Sequence, residues 1–90
     1  MPLPSSITEK RKKIINEIEQ KGGLLKMENF EIAQMGIWWL GLRNSVRFIK
    51  NNGGEIVSFK DEHFIFGLDV FSLFVRNFIK NYREYCGNKN

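Results

Sequence analysis

The chain has 90 residues and a net charge of +4, with 42% hydrophobic and 13% aromatic side chains. That length makes one domain, and the apolar content is too high for a disordered chain. One cysteine, Cys86, excludes an internal disulfide and a cysteine-based zinc cage, and fits a free thiol in a reducing compartment.

Residues 1–5, opening with "MPLP", form an expected flexible lead to a single domain over 6–86, with residues 87–90 as a flexible tail. A first helix is expected from Ser6 or Thr8, either of which can cap an orphan backbone N–H. Ile7, Ile14, Ile15 and Ile18 recur along one side at helical spacing, Glu9 and Lys13 form a favourable i,i+4 pair, and Gly22-Gly23 ends the helix. "LLKM" follows as a short strand candidate. Asn29 then caps a second helix, "FEIAQM", which buries Phe30, Ile32 and Met35 before Gly36 breaks it.

A third helix is predicted from about Trp39 to Asn51, buried along Leu42, Val46 and Ile49 and stopped by "NNGG". Ile56, Val57 and Phe59, then Phe64, Ile65 and Phe66, read as two strands of a hairpin around "KDE". Asp69 is placed to cap a long last helix from Val70 to Tyr85. Its apolar band, Phe71, Phe74, Val75, Phe78, Tyr82 and Tyr85, is wider than one core contact needs.

The fold class is therefore α+β, in the order helix, short strand, two helices, hairpin, helix. That order resembles the winged helix-turn-helix family. Gly36-Ile37, the spacing of Leu42, Val46 and Ile49, and Gly53-Gly54-Glu55-Ile56 follow the family's layout. "EIAQMGI" is similar to its second-helix signature, one residue short between Ala33 and Gly36. A small helical bundle with an attached hairpin is the structural alternative.

The resemblance implies that the third helix enters the major groove of duplex DNA while the hairpin, as a wing, touches the flanking backbone. Carried over, Arg43 and Arg47 would face guanine edges and Asn44 adenine edges. Lys50 and the run Lys10-Arg11-Lys12-Lys13 would meet phosphates, with Lys60 and His63 as the wing's contacts.

Two features sit awkwardly with that role. The third helix opens with Trp38, Trp39 and Leu40, large apolar side chains of the kind that anchor protein interfaces. The segment 55–67 holds three acidic residues against one basic, a net charge of −2 that would repel phosphate.

Two functions are thus expected. One is a non-enzymatic DNA-binding regulator, dimeric through the surplus face of the last helix, with Phe78, Tyr82 and Tyr85 in the interface. The other is an accessory subunit of a replication (polymerase) or transcription complex, gripping a partner protein through Trp39 and Leu40. No catalytic constellation assembles around the one histidine, His63, and no phosphate-binding glycine motif occurs, so neither enzyme activity nor a cofactor or metal is expected. "MPLPSSITEKRKK" lacks the apolar stretch of a secretion signal, and "FIFGLDVFSLFV" is too short to span a bilayer. A cytoplasmic protein without membrane contact is expected.

Overall fold

A computed structural model describes residues 5–87, and side chains from Thr8 onward. Residues 1–4 of the expected lead over 1–5, residues 88–90 of the expected tail over 87–90 and the side chains of residues 5–7 lie outside the described residues, while Ser5 and Gly87 belong to helices. Four α-helices and a two-stranded antiparallel hairpin make an α+β domain: α1 (Ser5–Gln20), α2 (Asn29–Leu40), α3 (Leu42–Asn51), β1 (Glu55–Phe59), β2 (Glu62–Phe66) and α4 (Val70–Gly87). No helix among the described residues is long and apolar enough to cross a membrane.

Helix α1 already includes Ser6 and Thr8, so it starts ahead of both expected caps. Ile14 and Ile18 are buried, as their spacing requires. The helix ends where Gly22 turns left-handed (φ 95°). The Gly22 and Gly23 N–H groups donate back to the carbonyls of Glu19 and Ile18. Helix α3 ends in the same way, with Gly53 at φ 85° and the Gly53 and Gly54 N–H groups on Lys50 and Ile49. Both Gly-Gly pairs thus take up carbonyls that the last helical turn leaves unpaired.

"LLKM" is not a strand. Leu24–Lys26 form a single 3-10 turn with no buried residue, and no described strand lies beside it to pair with. A strand needs a neighbour for its backbone groups, and four residues after a Gly-Gly stop do not reach one.

The second helix does not break at Gly36. It begins after Glu28, whose side chain takes the Glu31 N–H while the Glu31 carboxylate accepts from the Glu28 N–H, and it runs unbroken to Leu40. That hydrogen bond and the Lys21 ammonium, 3.3 Å away, hold the Glu31 carboxyl below its ordinary range. Gly36 is where α2 and α4 touch. A Cβ there would lie 3.0 Å from the Phe78 Cβ and 3.1 Å from the Phe74 ring.

The helix break is instead Gly41 (φ 92°), the one residue between α2 and α3. Ser45, fully buried, donates both its N–H and its hydroxyl to the Gly41 carbonyl. The inner side of α3 is Ser45 and Ile49, with Phe48 edge-on to Phe74 at 5.9 Å; Leu42, expected inside, is exposed.

The hairpin turns through Lys60 and Asp61, both at positive φ (51° and 67°), as a two-residue turn matched to strand twist demands. Its register pairs Ile56 with Ile65 and Ser58 with His63 on one face, and Glu55 with Phe66, Val57 with Phe64 and Phe59 with Glu62 on the other. Ile56 and Ile65 pack on the buried group of Ile37, Ile49, Val70 and Phe74. Gly54 and Gly67 meet backbone to backbone at the hairpin's base, where a Cβ on Gly54 would stand 2.6 Å from the Phe66 carbonyl.

One polar contact fastens the hairpin to α2. The buried Gln34 amide donates to the His63 carbonyl at 2.7 Å and accepts from the His63 N–H at 3.1 Å. A side-chain amide thereby pairs with β2's outer edge as another strand would. Phe30 stacks on Phe64 beside it, ring centroids 5.5 Å apart.

Candidate nucleic-acid interface

The third helix begins three residues later than expected, so Trp38 and Trp39 belong to the end of α2. Successive helical residues point ~100° apart, and the two rings part company. Trp38 is 40% exposed, whereas Trp39 is 2% exposed. Trp39 is the centre of an aromatic cluster, edge-on to Phe78, Tyr82 and Tyr85 at 5.2–5.9 Å, with its indole N–H on the Asn81 side-chain oxygen.

That cluster corrects the expected partner-binding set. Trp39 and Phe78 are interior and present nothing to another molecule. Leu40, Tyr82 and Tyr85 are partly buried against the same core. The wide band on α4 is therefore taken up within the chain: α2 covers it from one side, and Phe71 and Ile79 also pack on the core. The Tyr82 phenol is pushed up to about 12, first by burial and then by the neighbouring Cys86.

The basic run 10–13 does not act as one patch. Arg11 turns inward, its guanidinium 4.6 Å from the Trp39 ring centroid and 4.9 Å from that of Tyr85, with Nε buried and without a hydrogen-bond partner. Ring faces hold it, a role the basic run was not expected to have. The sequence carried a signal for this: Arg11 precedes Ile14 by three and Ile18 by seven, on the apolar stripe itself. Lys10, Lys12 and Lys13 are exposed. Lys10 and Lys13 line a groove with Trp38, Gly41 and Leu42, next to the start of α3, and Lys12 lines another with Lys13 and Cys86.

On α3, Arg43, Arg47 and Lys50 are all exposed, and their spacing of four and three puts them in one stripe opposite Ser45 and Ile49. The helix contains no acidic residue. Among the described residues the ion pair is Lys21–Glu31, so none of these three cations is ion-paired to a described residue. Asn44, expected to read adenine with both ends of its amide, donates its NH₂ to the Leu40 carbonyl at 3.0 Å and so closes the α2–α3 junction.

The expected wing contacts are also engaged. Lys60 lays its ammonium over the Phe59 ring at 5.3 Å. His63 meets the Ser58 hydroxyl at 2.6 Å through Nδ1, and its backbone is held by Gln34. Sequence reasoning missed Gln34, whose backbone partner His63 only the fold brings near, and it missed Ser45 and Asn44, whose bonds to the carbonyls four residues back depend on where α2 ends. Among the described residues no group of three or more His, Cys, Asp or Glu side chains could hold a metal. No protein-family model, curated protein or solved structure matches the chain.

Proposed function

We propose that this chain is a winged-helix DNA-binding protein, a small non-enzymatic regulator that lays α3 against a duplex. The observation that carries the reading is the stripe of Arg43, Arg47 and Lys50, ion-paired to no described residue, on a helix without a carboxylate. Three cations over two turns match the spacing of phosphates and base edges along a groove, and Arg supplies two-point contacts that Lys does not. Lys10 and Lys13, near the first turn of α3, extend the positive surface towards the flanking backbone. The element order and the hairpin support the winged-helix assignment. The one-residue Gly41 link and the 3-10 turn at Leu24–Lys26 are this chain's departures from the pattern.

The burial of Trp39 weighs against an accessory subunit gripping a protein partner through Trp39 and Leu40, whereas Trp38, the other ring of the pair, stays exposed. Fluorescence anisotropy with a labelled duplex at low salt tests the DNA-binding reading. Binding is expected to weaken more for Arg43→Ala and Arg47→Ala than for Lys50→Ala. No binding of any duplex at low salt overturns the proposal.

A further inference from the structure

Among the described residues, two exposed surfaces are complementary to one another. The first is a groove of ≈ 390 Å³ between α1 and the α2–α3 junction. Its floor is Ile14, Trp38 and Leu42, and its rim carries Lys10 and Lys13 against a single acid, Glu17. Leu42 is 47% exposed, so both it and Trp38 leave apolar area open on the groove side.

The second surface is the outer face of the hairpin. Val57 is 49% and Phe59 62% exposed, on the strand face opposite Ile56 and Ile65, where Phe64, across from Val57, stacks on Phe30. Asp61 and Glu62, both exposed, flank Phe59 at the tip, and the hairpin segment as a whole carries −2. The groove is apolar with two cations against one acid at its rim; the hairpin tip is aromatic with two carboxylates against one cation, Lys60, whose ammonium lies over Phe59 and must swing aside for the ring to seat.

We infer that the groove takes the hairpin tip of a second copy of this chain. Phe59 seats on Trp38 and Leu42, and Asp61 and Glu62 come to Lys10 and Lys13. Opposite charges at the rim fix the orientation, and the aromatic seat supplies the apolar contact. After one contact forms, one copy still offers its groove and the other its hairpin, so association runs head to tail. The inference does not rest on DNA binding, because Trp38 and Phe59 lie outside the α3 stripe.

Sedimentation velocity over a range of concentrations, without nucleic acid, tests it. The wild-type chain is expected to grow heavier than a monomer as concentration rises. Phe59→Thr and Trp38→Ala are each expected to weaken self-association roughly thirty-fold, the loss typical of an interface anchor. The decisive arm mixes the two variants. Phe59→Thr retains a groove and Trp38→Ala retains a hairpin, so the mixture is expected to form a 1:1 complex that neither forms alone. Leu42→Glu replaces Trp38→Ala if circular dichroism shows that the latter does not fold. A wild-type chain that stays monomeric at every concentration, as it would if the groove takes a foreign acidic segment, overturns the inference. So does a mixture that remains monomeric.

Discussion

Helices α2 and α3 are separated by one residue and are built in opposite ways. In α2, Ile32, Ala33, Gln34, Met35, Gly36, Ile37 and Trp39 are all buried, whereas α3 buries only Ser45 and Ile49. The first is enclosed by α1, α4 and the hairpin and sets the position of everything else. The second rests on the core by a narrow edge and leaves its cations outside. Stability and surface chemistry are thereby assigned to different helices, and substitutions in one should leave the property of the other nearly untouched.

Trp39→Ala strikes that division hardest. It removes three edge-on ring contacts, the Arg11 stacking and the hydrogen bond to Asn81. A loss of about 3–5 kcal/mol is expected for a buried Trp, measured by urea denaturation. Gly36→Ala comes next. Its added methyl has no room between α2 and Phe78, and a cost of about 1–3 kcal/mol is expected for an overpacked contact. If Phe78 gives way by a few tenths of an ångström, the better helix propensity of alanine would stabilise the chain instead, so the sign of the change reads how rigid the α2–α4 contact is.

Alkali gives a smaller effect on the same cluster. The folded Tyr82 phenol ionises near 12 and its ordinary value is 10.0, so the folded state holds its proton longer than the unfolded chain. The resulting stabilisation is complete below pH 10 and is lost as pH rises towards 12. Tyrosinate absorbance during an alkaline titration is expected to show a late rise from Tyr82, and Tyr82→Phe should remove it.

The smallest expected change in stability comes from α3. Arg43→Ala and Arg47→Ala touch no partner within the described chain, so each should shift stability by no more than about 0.5 kcal/mol, read from the same urea curves. A large loss there would mean that the stripe serves the fold and not a ligand.

The pattern of what the sequence revealed follows the same line between local and distant causes. The two Gly-Gly stops were legible because a left-handed helix end is decided by the residues that make it. The hairpin was legible from β-branched and aromatic runs around a polar centre. Gly36 was misread because glycine permits a break without requiring one. Its packing against Phe78 joins residues 42 positions apart, which no local pattern encodes. The missing strand at "LLKM" has the same origin, since a strand is defined by its neighbour. Of the candidate site, the exposed stripe on α3 was readable from spacing. The fates of Trp38 and Trp39 were not, because adjacent helical residues face different ways and only the arrival of α4 selects one.

The salt dependence of duplex binding tests the central division most directly. Three phosphates neutralised by Arg43, Arg47 and Lys50 give a slope of about −2.7 for the logarithm of affinity against the logarithm of salt concentration. The expected result is a wild-type slope at least that steep. The triple alanine variant should show it flattened by about the same amount, while urea curves for the two proteins coincide. Equal affinities and equal slopes for the two proteins would contradict the assignment of α3 to DNA.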